Sequence, residues 1–90
     1  MSPPDPCQPM PARAGFPVDE EEMRRWSAWL LARGYKQSTV DEWVFRIRSA
    51  YRNGVADAAM VDEGCAKYAT TTRSGIRQAL RELEEFRRSA

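Results

Sequence analysis

Apolar residues recur along the chain at intervals of three and four, the spacing of one helix face. In "MRRWSAWLLARG" Met23, Trp26 and Leu30 repeat in this way, and Trp29 widens the stripe. Asp19 stands ahead of three glutamates, the last of which, Glu22, completes a capping-box-like pair with it. The glutamates suit the positive end of the helix dipole and Arg33 the negative end, while Gly34 supplies a left-handed stop. In "KQSTVDEWVFRIRSAYRNG" the pattern is tighter: Val40, Trp43, Val44, Ile47, Ala50 and Tyr51 share one arc, and Asn53-Gly54 closes the helix. Phe45 falls outside that arc, on the far side with Arg48 and Arg52.

The stretch "VADAAMVDEGCAKYA" is less regular. Met60, Val61, Cys65 and Tyr68 offer one buried edge. Gly64 costs about 1 kcal/mol in a helix relative to alanine, so one short or irregular helix is expected. Regularity returns in "TTTRSGIRQALRELEEFRR", where Ile76, Ala79, Leu80, Leu83 and Phe86 face a core and Thr70, Thr71 or Thr72 can cap the start. Arg81 can pair with Glu85, and Glu84 with Arg88, at i+4 spacing. Four helices with short joins and no period-two alternation predict a compact all-α domain over residues 18–90. The three tryptophans are its natural anchors.

All six prolines lie in the first 17 residues, "MSPPDPCQPMPARAGFP", and proline at that density opposes helix and strand alike. Residues 1–17 are therefore expected to be a flexible, disordered proline-rich tail. Pro3, Pro6 and Pro9 have the P-x-x-P spacing that SH3-like grooves also accept.

Composition narrows the chemistry. Ninety residues make one domain, and 42% hydrophobic with 30% charged is a soluble composition. No run of about 18 apolar residues exists to cross a bilayer, and the start does not read as a signal peptide, so a cytoplasmic location is expected. There is no histidine, and Cys7 and Cys65 are far apart, which leaves free thiols rather than a disulfide or a metal site. Without histidine, a nucleophile–base spacing or a Gly-rich phosphate loop, the chain is expected to be no enzyme and to take no cofactor or small-molecule substrate.

The net charge is only +1, but its distribution is uneven. Residues 19–34 carry three basic and four acidic groups, and residues 55–69 one and three. Residues 35–54 carry four and two, and residues 70–90 five and three. Positive charge collects on the second and last helical segments. Arg73, Arg77, Arg81 and Arg88 fall within an arc of about 80° at 3.6 residues per turn and are expected opposite Ile76 and Leu80, and Arg73 and Arg77 have no acid at helical spacing.

The order of these signals resembles the N-terminal core-binding, SAM-like domain of tyrosine recombinases, the phage integrase family. Trp26 and Leu30, Arg33-Gly34, and Thr39-Val40 with Trp43 stand where that domain has its first helix, its turn and the opening of its second helix. Thr72, Ile76, Ala79-Leu80-Arg81 and Phe86 stand in register with its last helix. The likeness spans roughly residues 20–88. Lys36 departs from it, occupying a place usually held by a capping Ser or Thr, so a shifted start of the second helix is expected. The resemblance implies a four-helix SAM-like orthogonal bundle that clamps duplex DNA with its second and last helices during integration or recombination. It also implies that the chemistry belongs to a separate catalytic domain with a tyrosine nucleophile. Tyr35, Tyr51 and Tyr68 lie on or beside apolar faces and do not correspond to that residue.

Two functions follow. One is a non-catalytic DNA-binding module in which Lys36, Arg48, Arg52, Thr72, Arg73, Arg77 and Arg81 contact duplex phosphates. The other is a protein-interaction module, its partner a recombinase or another viral or host factor, anchored by Phe45 and Trp29. A third, plainer reading takes the chain as a piece of a longer recombinase, holding half of a DNA clamp.

Overall fold

A computed structural model describes residues 15–89. Among them lie four α-helices and one 3-10 turn, and no strand: α1 Glu20–Ala32, α2 Gln37–Arg52, the 3-10 turn Ala58–Met60, α3 Val61–Gly64 and α4 Thr70–Ser89. None of these helices is long and apolar enough to cross a membrane. The proline tail expected over 1–17 lies largely outside the described residues, as does Cys7. Its last three residues are described, and they are attached: the Phe16 N–H donates to the Tyr51 carbonyl at 2.8 Å, and the two rings meet edge-on.

The ends of α1 and α2 follow from a few residues. At the start of α1, Asp19 Oδ1 accepts from the amides of Glu21 and Glu22 at 3.0 and 3.2 Å, satisfying two of the free N–H groups of the first turn. The expected capping box is not closed, because the Glu22 carboxylate is engaged by Arg87 instead. Both α1 and α2 stop at a glycine with positive φ, Gly34 at 96° and Gly54 at 73°. After Gly34 the Tyr35 amide reaches back to the Leu30 carbonyl, and after Gly54 the Val55 amide reaches the Ala50 carbonyl, each a Schellman closure. The residue following such a glycine packs onto the last helical turn, which accounts for Val55 being fully buried although no periodic pattern reaches it. Lys36 is the cap of α2, with no side-chain hydrogen bond. The lysine thus leaves the cap unmade, while Gln37, the first helical residue, bonds Asp41 one turn on.

The core gathers Trp26 and Leu30 of α1, Val40, Ile47 and Ala50 of α2, Val61 and Cys65 around α3, and Ile76, Ala79 and Leu83 of α4. Helix α4 packs on all the other elements, so the core is organised around its apolar stripe. The connection between α1 and α2 packs on α2 through the tilted ring pair Tyr35–Trp43, with centroids 4.8 Å apart. Met60 departs from expectation: it is exposed while Val61 is fully buried. A 3-10 turn over residues 58–60 advances by about 120° per residue instead of 100°, so a reading at α-helical period loses phase there.

Candidate nucleic-acid interface

The N-terminal half of α4 carries charge of one sign only. From Cys65 to Arg81 the chain holds Lys67, Arg73, Arg77 and Arg81 and no acid. The helix begins at Thr70, and the Ala69 carbonyl accepts its first bond, from the Arg73 amide at 2.9 Å. None of the three threonines therefore stands ahead of the helix as a cap. Thr70 Oγ1 accepts instead from Arg73 Nη2 at 3.1 Å. Thr72, expected at the DNA contact, is half-buried one turn before the buried Ile76, on the core side of the helix.

The arginine row is less outward than expected. Arg73 and Arg77 lie about 60–100° round the helix from Ile76, on the flank beside the core rather than opposite it. Both are half-buried in consequence. Arg77, without an acid on its own helix, finds one on another: its Nη2 donates to Asp62 Oδ1 of α3 at 2.6 Å. Arg81 is exposed and does not form the expected pair with Glu85. Arg88 takes that carboxylate at 3.8 Å and Glu84 at 3.6 Å.

The cations of α2 point elsewhere. Arg48 donates from both terminal nitrogens to the Glu20 carboxylate of α1, at 2.5 and 2.6 Å. These bonds hold the Glu20 carboxyl below its ordinary pKa and raise that of the guanidinium. Lys36 and Arg52 are exposed and carry no ion pair among the described residues, but they stand at opposite ends of a sixteen-residue helix, about 24 Å apart along its axis. The seven residues expected at a DNA contact thus do not form one face: Arg48 is turned to α1 and Arg77 to α3. The group that stays together is Arg73, Arg77 and Arg81.

Sequence reading missed three contributors. Lys67 adds a cation ahead of α4 in the same acid-free stretch, its ammonium 5.4 Å from the centre of the Tyr68 ring. Arg46 packs its guanidinium against Gly75, where an added Cβ would lie 3.4 Å from Nε, and so joins the middle of α2 to the start of α4. Asp62 opposes the row. Its signal was present in the acidic balance of residues 55–69, because an acidic connection leading into a basic helix meets it when the chain folds back.

The residues proposed as protein anchors fare differently. Phe45 is 58% exposed, on the same side of α2 as Arg48. Trp29 is half-buried between two neighbours, edge-on to Phe86 with ring centroids 5.6 Å apart and with the Arg33 guanidinium 4.4 Å from its ring. Those contacts occupy it within the fold. An open groove of about 530 Å³ runs between α1 and α2, with Met23, Ala28, Leu31 and Val44 in its lining and the Glu20–Arg48 pair on its rim. Cys65 is a free, fully buried thiol whose pKa is raised by desolvation, which keeps it protonated and unreactive. No protein-family model, curated protein or solved structure matches the chain.

Proposed function

We propose that this chain is a non-catalytic DNA-binding module that holds duplex phosphates with the first three turns of α4. The observation that carries the reading is the acid-free run from Cys65 to Arg81, with Arg73, Arg77 and Arg81 at successive i+4 positions on one flank of a rigid helix. Guanidinium groups suit phosphate because their planar fork donates paired hydrogen bonds and never loses its proton. The pair that Arg77 makes is an exposed one on the acid's side, with Asp62 72% open, and such pairs contribute little and exchange readily for another anion. The order of helices and turns supports a SAM-like bundle of the kind found in the core-binding domain of tyrosine recombinases. The contact is narrower than that domain's two-helix clamp, because Arg48 of α2 is turned to α1, with both terminal nitrogens bonded to the Glu20 carboxylate.

Titration of a labelled duplex of about 20 base pairs, followed by fluorescence anisotropy, tests this. Binding in the non-specific range, Kd about 10⁻⁴–10⁻⁶ M, is expected, with log K falling by about 0.9 per phosphate neutralised as log salt rises. Arg77→Ala with Arg81→Ala reduces that slope by about 2, whereas Arg48→Ala leaves it unchanged. Absence of binding at low salt, or equal slopes for all three proteins, overturns the reading.

A second reading, docking of a protein partner such as a recombinase, is favoured by one observation. Phe45 of α2 is exposed, and Leu31 of α1, in the lining of the groove between α1 and α2, is 41% exposed. A partner captured by the chain after nuclease digestion, and lost with Phe45→Ser, would support it.

A further inference from the structure

We infer that Asp62 is an intramolecular competitor for phosphate, a carboxylate that occupies Arg77 until a nucleic-acid backbone displaces it. This rests on the DNA-binding reading of α4 and adds to it a residue that sets its affinity.

The geometry is specific to one side chain. Asp62 reaches Arg77 across fifteen residues of sequence, with 2.6 Å between Oδ1 and Nη2. Its carboxylate oxygen sits where a phosphate oxygen would accept the same N–H, and a single such bond leaves the other guanidinium donors uncommitted to it. Arg77 itself is held in place, only 26% of its side chain being open, so it cannot swing away to meet DNA elsewhere. The acid is the mobile member, with 72% of its side chain in solvent. It is carried by the connection that packs along α4, whose Val61 and Cys65 are fully buried on either side of it. A phosphate approaching Arg77 must therefore either replace this carboxylate or bear its repulsion at close range.

One unit charge about 4 Å from another in water is worth about a fivefold change in affinity. Asp62→Asn is accordingly expected to tighten duplex binding about fivefold at low salt, with the number of phosphates neutralised unchanged. Asp41→Asn alters net charge equally, but Asp41 faces Gln37 on α2, and a change below twofold is expected there. In an Arg77→Ala background Asp62→Asn should give no gain.

The outcomes separate. Tightening by Asp62→Asn alone, dependent on Arg77, supports the inference. Wild-type binding with equal effects of Asp62→Asn and Asp41→Asn overturns it and leaves the DNA reading standing. A gain that persists without Arg77 also overturns it, since general repulsion would then suffice. No binding by wild type and Asp62→Asn alike overturns both.

Discussion

Arg87 was not prominent in the sequence, yet it ties three helices together. Its Nη2 donates to Glu22 Oε1 of α1 at 2.6 Å and to the Tyr51 hydroxyl of α2 at 2.9 Å, while its Nε donates to Glu22 Oε2 at 3.1 Å. A double-mutant cycle of Arg87→Met and Glu22→Gln isolates the pair, methionine retaining most of the apolar stem. Two unit charges about 4 Å apart attract by about 1 kcal/mol in water and about 4 kcal/mol at an effective dielectric of 20. The side chains are 44% and 22% open, so solvent screening and the cost of ordering the long arginine remove much of that gain. The two-pronged geometry and the third bond to Tyr51 keep the pair above the usual range of exposed ones, about 0.2–1 kcal/mol. A coupling energy of about 1–1.5 kcal/mol is expected from urea unfolding of the four proteins, followed by tryptophan fluorescence. In a domain this small a loss of that size lowers Tm by roughly 4–12 °C. Additivity of the two substitutions to within about 0.3 kcal/mol would refute the argument, since it would mean that the two bonds between Arg87 and Glu22 contribute nothing beyond independent side chains.

Two further outcomes follow from the ends of α1. Gly34→Ala should cost about 1–2 kcal/mol, because φ is 96° and nothing lies within 4 Å of an added Cβ, so the penalty is that of the backbone alone; unchanged thermal unfolding would contradict it. Arg48 depresses the Glu20 carboxyl pKa in the folded state, so this pair's contribution is present above the unfolded value of 4.5 and is lost as pH falls through the lower folded value. The stability difference between wild type and Glu20→Gln should thus shrink as pH falls below 4.5, and a difference independent of pH would exclude the mechanism.

How much could be read from sequence depended on whether the relevant physics was local. The cores of α1, α2 and α4 were legible because Met23, Trp26 and Leu30, then Val40, Ile47 and Tyr51, then Ile76, Leu80 and Leu83 repeat at helical period, and all are buried. The glycine stops were equally local, since only a residue without Cβ adopts those φ values cheaply. Residues 55–69 were legible in part: the short helix and the burial of Val61 and Cys65 were expected, but the 3-10 turn before that helix breaks the phase on which such reading relies, and Met60 was misplaced. For the site, the absence of acid on the first turns of α4 was visible. The partners of its cations were not. Asp62, Glu20 and Glu22 reach their arginines across 15, 28 and 65 residues of chain, and only the packing of helices decides which charges meet.

The placement of Asp62 between two anchored neighbours also has a kinetic meaning. With Val61 and Cys65 locked in the interior, the peptide segment bearing this acid cannot lift off α4 without exposing the core. Only its side-chain torsions are free to turn, and for an open residue these relax in picoseconds to nanoseconds. Exchange of one anion for another at Arg77 would then be effectively instantaneous beside diffusion. The carboxylate would tax the strength of a complex while adding no slow step to its formation.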